Sequence, residues 1–262
     1  MLGAIIGDIV GSKYEFDNIR SKDFPLFSDG CGYTDDTICT VAVANALLTG
    51  DSYTDSLQRW CRKYPHPKGA YGGSFARWIF EQNPQPYGSY GNGSAMRVSP
   101  CGWLETLERV GREARLSAEC THNHREGIKG ATSVAEAIFI LRGGATKAEV
   151  RSYIETRYGY DLTRSVDEIR RTNRFDETCQ VTVPQAFVCF LESHDFEDAV
   201  RNAISIGGDS DTIGAITGSL AEAHYGVPQT IRSEALGYLP SELLEVVSAF
   251  EERFGKKGSV CL

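Results

Sequence analysis

Two short acidic motifs carry the chemistry open to this chain. Tyr33-Thr34-Asp35-Asp36-Thr37 stands near the start and Gly207-Gly208-Asp209-Ser210-Asp211-Thr212 near the end. Each gathers two carboxylates and hydroxyl oxygens into a few residues, a donor set that suits a hard cation such as Mg²⁺. Brought together by the fold, they would make a two-metal site. The same residues also suit a plainer task, since Thr and Asp cap helices and acids at a helix start complement its dipole. One cap needs one acceptor, however, and each motif offers two acids whose repulsion a cation would relieve.

Gly91-Asn92-Gly93-Ser94-Ala95-Met96-Arg97 is a glycine loop ahead of a helix start. Its backbone N–H groups could face an anion, with Arg97 as a charged donor, or it is an ordinary turn. It lacks the third glycine of a dinucleotide fingerprint and the lysine of a P-loop. His122 and His124 lie two apart, off a common helix face and without a cysteine pair, which argues against zinc. Glu15 is available as a general acid or base. Gly3, Gly7 and Gly11 recur every four residues. On a helix they form one bare face, for close packing or for bringing Asp8 and Glu15 near a ligand.

The elements that must position these groups read as helices. Caps, apolar periodicity and stop signals predict them over 34–50, 104–115, 128–142, 146–157, 184–192, 196–206, 212–225 and 241–254. Ser241 is expected to cap the last, and Thr146 and Glu149 to form a capping box. Val181-Thr182-Val183 is the best strand-like segment, ended by Pro184. Residues 64–93, rich in Gly, Pro, Tyr and Ser, read as a long functional loop. The expected class is all-α, one compact domain over 1–262.

A 41% hydrophobic and 24% charged composition is ordinary for a globular chain. The net charge of −8 argues against a general nucleic-acid surface. No stretch approaches a membrane span or reads as a signal peptide. The 8 cysteines are scattered, without a C-x-x-C pair, and read as reduced thiols of a cytoplasmic protein. Cys261 does not form a prenylation box.

Five elements in order give the chain a resemblance to the ADP-ribosylglycohydrolase family, which includes dinitrogenase-reductase-activating glycohydrolase and the eukaryotic ADP-ribosylhydrolases. They are Gly7-Asp8-Ile9-Val10-Gly11-Ser12-Lys13-Tyr14-Glu15, Thr34-Asp35-Asp36-Thr37, the Gly91 to Arg97 loop, Thr121-His122, and Gly207 to Ile213. The resemblance implies an all-α fold with a dinuclear Mg²⁺ cleft. It implies Thr34, Asp35, Asp36, Asp209, Asp211 and Thr212 as metal ligands, and Glu15 as an acid on a loop over the site. It places Gly73, Gly91, Asn92, Gly93, Ser94, Ala95, Met96, Arg97 and His122 against ADP-ribose.

The implied activity is hydrolysis of the bond between ADP-ribose and a modified acceptor, by a monomer, with Glu15 or a metal-site acid such as Asp35 taking the water's proton. Arginine-directed members of the dinitrogenase-reductase type carry an acid in the loop matching Lys68-Gly69-Ala70-Tyr71-Gly72-Gly73-Ser74. This chain carries none there, so arginine specificity does not simply transfer. A catalytically silent ADP-ribose binder and a Mg²⁺-dependent phosphohydrolase are the alternatives.

Overall fold

The computed structural model describes residues 1–255 and is helical throughout. Helices α1 (Leu2–Gly11), α2 (Asp35–Thr49), α3 (Tyr53–Lys63), α4 (Gly73–Trp78) and α5 (Gly93–Met96) come first. A 3₁₀ turn at Ser99–Trp103 leads to α6 (Leu107–Glu119), α7 (Arg125–Arg142), α8 (Lys147–Tyr158) and α9 (Val166–Thr172). The chain continues through α10 (Cys179–Leu191), α11 (Phe196–Ser205), α12 (Ser210–Tyr225), α13 (Gln229–Leu236) and α14 (Ser241–Phe254). Among the described residues the only β pairing is two isolated bridges, Thr34 to Lys68 and Gly91 to Thr178.

The centre is the antiparallel pair α1–α12. All ten residues of α1 are buried, as is α12 from Ser210 to Ala221. The glycine repeat explains how two buried helices approach so closely. A Cβ on Gly7 would sit 1.9 Å from the Gly214 carbonyl oxygen, and one on Gly3 would sit 2.1 Å from that of Gly218. Only hydrogen fits there. This seam brings the C-terminal end of α1, with Asp8, against the N-terminal end of α12, with Asp211. Helices α7, α10 and α11 surround α12, and α2 lies against α1.

Capping chemistry sets many helix starts. The side chains of Thr34, Ser52, Thr106 and Asp195 each accept from a backbone N–H in the first turn. Thr146–Glu149 and Ser165–Glu168 are full capping boxes. Helix α2 ends at Gly50, with φ 81°.

Three sequence expectations change. Val181 to Val183 is helical, and Pro184 lies inside α10. The carbonyl its missing N–H would have bonded belongs to Gln180, which is exposed, so water can serve it. The long loop contains α4. Ser241 is the first residue of α14, preceded by Pro240, and makes no side-chain cap. The seven cysteines among the described residues are free thiols; Cys261 lies outside those residues. Among the described residues no helix is long and apolar enough to cross a membrane.

Candidate active site

The first acidic motif is wired from beneath by Asp8. Asp8 Oδ2 accepts from Thr34 N–H at 3.0 Å and Thr37 N–H at 3.1 Å. It also accepts from the Thr37 hydroxyl, while Asp8 Oδ1 accepts from Thr34 Oγ1 at 2.7 Å. The Thr34 oxygen in turn accepts from Asp36 N–H at 3.1 Å, capping α2. Burial pushes the Asp8 carboxyl up to about 6, and the four donors hold it from rising further.

The second motif is assembled from loops. Gly207 and Gly208 have φ of 62° and 84°, a left-handed pair that a side chain would strain. Asn18 clamps the turn in both directions: Gly208 N–H donates to its Oδ1 at 2.7 Å, and its Nδ2 donates to Gly208 O at 2.9 Å. The Arg20 guanidinium donates to the carbonyls of Arg170, Asn173 and Ile206. Asn92 Nδ2 donates to Asp209 Oδ2 at 2.6 Å and to Thr182 Oγ1 at 3.1 Å.

The two motifs meet. Thr212 Oγ1 lies 3.4 Å from Asp36 Oδ1, across 176 residues of sequence. Glu15, half-buried on the loop after α1, joins them: ligand oxygens of Glu15, Asp209 and Asp211 lie within 4.8 Å of one another. That is one candidate cation group among the described residues, and its acid from the first loop is Glu15. Asp36 Oδ2 is buried without a hydrogen-bond partner. An all-oxygen group beside an orphaned carboxylate oxygen fits a hard divalent cation such as Mg²⁺.

The electrostatics agree. Burial, then the Asp211 and Asp8 charges, pushes Glu15 up to about 8. The same three causes in the same order raise Asp35 and Asp36 well above the usual carboxylate range. Burial and then Asp209 raise Asp211. Burial brings Asp209 to about 6, against the lowering hydrogen bonds from Asp211 and Asn92. Among the described residues no Lys or Arg forms an ion pair with any of these acids. Buried acids without protein counter-charges are a site built for a cation.

These groups form one end of a cleft of about 640 Å³, a normal size for a small-molecule site. Gly73, Gly91, Asn92, Gly93, Met96, Arg97 and His122 also line it. Ser94 and Ala95 are buried in the same loop; the Ser94 hydroxyl donates to Gly127 O at 2.8 Å. Arg97 is 1% exposed, and its guanidinium donates to Ser117 O at 2.8 Å and Thr121 Oγ1 at 2.7 Å. Having accepted from Arg97, the Thr121 hydroxyl has His122 Nδ1, 2.7 Å away, as the partner for its proton. This assigns the imidazole hydrogen to Nε2, beside Gly93. Burial, then Arg97, keeps the ring neutral. His124 instead caps α7.

A second hollow of about 660 Å³ lies between α6, α7 and α8, but its arginines are already paired: Arg112 with Glu113, Arg115 with Glu119, Arg157 with Glu136.

Two supporting residues, Asn18 and Arg20, are not marked in the sequence. Asp8 is marked there by the glycine seam and the first family element, but without its role beneath Thr34 and Thr37. Asn18 and Arg20 carry no motif, because their partners are backbone atoms far along the chain.

The model of the family described as ADP-ribosylglycohydrolase matches residues 1–259. ADP-ribosylhydrolase ARH3 of Homo sapiens is 26% identical, with 93% of this chain and 90% of that protein covered. ADP-ribosylarginine hydrolase Tri1 of Pseudomonas putida is also 26% identical, over 87% of this chain and 70% of its own. A solved ADP-ribosylglycohydrolase-related protein complex superposes with a TM-score of 0.70 at 25% identity, covering 96% of this chain and 95% of that one. Agreement of sequence model, relatives and three-dimensional fold over nearly the full length settles the matter: this chain belongs to the ADP-ribosylglycohydrolase family.

Proposed function

We propose that this Mg²⁺-dependent ADP-ribosylglycohydrolase holds two ions between its acidic helix starts and releases ADP-ribose from a modified acceptor. Thr34, Asp35 and Asp36 serve from one side, and Asp209, Asp211 and Thr212 from the other. The observation that carries this reading is the convergence of buried carboxylates from both motifs without a protein counter-charge. Mg²⁺ held by these residues would offset their charge and supply a Lewis acid toward the distal ribose hydroxyls.

The chain's own residues do the rest. Asp8 and Asn92 keep the acids from turning away. The Gly91 to Arg97 loop and the His122 Nε2–H bind the ADP portion along the cleft. Glu15, in its ionised form, takes the proton of the attacking water as the bond from the anomeric carbon to the acceptor breaks. The transition state is oxocarbenium-like, and these residues contribute chiefly by positioning the water and the ribose. Glu15 is favoured over Asp35 for this step because it is half-buried at the rim of the candidate cation group, on the loop after α1, where it faces the cleft. Residues 1–262 act as one domain and as a monomer.

The test is a panel of serine-linked, arginine-linked, base-linked and acetyl-linked ADP-ribose, with Mg²⁺ and with EDTA, and products identified by mass spectrometry. Free ADP-ribose in Mg²⁺ alone is expected. AMP or phosphate as product, or full turnover in EDTA, would overturn the reading.

A further inference from the structure

Five large hydrophobic side chains stand exposed on the described surface; Tyr90 and Phe175 among them line the active-site cleft, and Phe16 stacks on Phe175. Phe16 and Phe175 are a pair. Their rings stack at 6.1 Å between centroids with 27° between planes, yet Phe16 is 75% and Phe175 45% exposed. Single exposed apolar residues need no explanation, but two phenylalanines stacked in water at a cleft mouth do. The pair adds little to the fold, because neither ring belongs to the hydrophobic core.

Its position is informative. Phe16 follows Glu15 directly, and Phe175 lines the cleft wall with Asp176 and Glu177. The platform therefore adjoins the end of the cleft where the acids gather. Under the proposed function the anomeric carbon lies beside these acids, and the group attached to it leaves on their side of the cleft.

We infer that Phe16 and Phe175 form an acceptor-side docking platform for the polypeptide that carries the ADP-ribose, taking an aliphatic side chain next to the modified residue. The inference rests on the proposed activity. Charge selects the partner class. Glu15 and Asp17 flank Phe16, Asp176 and Glu177 follow Phe175, and the one cation directly beside the pair is Arg174, so acids outnumber it four to one. The Glu177 carboxylate makes no ion pair among the described residues, while its carbonyl accepts from Asn92 N–H at 2.7 Å. An acidic rim around an aromatic platform repels a phosphate backbone and favours a basic residue beside an apolar one.

The experiment compares three probes bearing one linkage that the enzyme hydrolyses: the ADP-ribosylated free amino acid, a short peptide with Leu and Lys flanking the modified residue, and the same peptide with Gly at both flanks. The wild-type protein should show a KM about tenfold lower for the Leu/Lys peptide than for the Gly peptide. Phe16→Ala and Phe175→Ala should each remove most of that preference, and Phe16→Ala should leave kcat/KM on the free amino acid unchanged. Phe16→Tyr should retain it. Equal KM values for both peptides, or equal losses on all three probes, would overturn the platform. An ADP-ribosylated oligonucleotide serves as control: a loss on it alone in the two Ala variants would overturn the platform in favour of base stacking. Wild-type protein inert on the whole linkage panel, so that no such probe can be chosen, would overturn the proposed activity itself, and the platform with it.

Discussion

The two acidic helix starts look alike as sequence and are built differently. At α2 the turn is internal: Thr34 caps the helix, and one buried carboxylate, Asp8, collects four hydrogen bonds from Thr34 and Thr37. At α12 no side chain caps the helix. Asp209 leans on Asn92, and the Gly207–Gly208 turn is held by Asn18 and Arg20 from the loop that carries Glu15. One half of the site is set by core packing. The other half depends on two substrate-facing loops, so the order of those loops and the geometry of Asp209 and Asp211 are coupled.

The largest effects should not distinguish the halves. Asp36→Ala and Asp211→Ala are each expected to lower kcat by about a thousandfold or more while the protein stays folded by circular dichroism. Near-wild-type turnover in either would remove that half from the chemistry.

Stability should separate them. Asp8→Ala strands four buried donors at α2 and is expected to cost about 3–5 kcal/mol in urea unfolding. Asn92→Ala removes one acceptor's partner at α12 and should cost about 1 kcal/mol. Equal costs would show that the α12 half is as deeply wired as the α2 half.

The contrast also explains what could be read in advance. The helices with strong caps and apolar faces were legible, and so was the glycine seam, because one physical rule governs each. Helices α3 and α9 lie outside the ranges expected from sequence although both carry a readable cap: Ser52 accepts from Asp55 N–H, and Ser165 and Glu168 have the capping-box spacing, as Thr146 and Glu149 do. Helix α10 misled because its first turns are rich in β-branched residues and it contains a proline, and packing against α12 overrode both. In the site, residues joined by sequence-local motifs were visible. Asp8 could be suspected but not assigned, since its four hydrogen bonds come from two residues, Thr34 and Thr37, that lie 26 and 29 positions away. Asn18 and Arg20 serve backbone carbonyls some 150 to 190 residues away, which no local pattern encodes.

Acidity gives a test of the whole cluster. Asp8 and Asp209 are raised to about 6 and Glu15 to about 8. A carboxyl raised in the folded state stabilises fully below its unfolded value, near 4, and that contribution is lost as pH rises through the folded value. In EDTA the site should therefore weaken the fold progressively between about pH 4 and pH 8. Mg²⁺ binds the ionised form, so the Tm difference between Mg²⁺ and EDTA should grow from near zero at pH 5 to about 5–10 °C at pH 8. A difference independent of pH would mean that these acids are not where the cation binds.

The smallest expected effect is the most discriminating. Asn18 holds the Gly208 turn with two bonds, and its Nδ2 also donates to the carbonyls of Tyr14 and Glu15 at 2.6 and 3.0 Å. It touches neither α2 nor its acids. Asn18→Ala should therefore leave the Asp8-wired half intact and change stability in EDTA by no more than about 1 kcal/mol. It should loosen Glu15 and Asp209 together, raising the Mg²⁺ concentration for half-maximal activity about threefold to tenfold while kcat at saturating Mg²⁺ falls less than twofold. If kcat falls instead and the Mg²⁺ requirement does not move, Asn18 orders the reacting geometry and not the cation group. The loop-built half would then be as rigid in the bound state as its core-built counterpart.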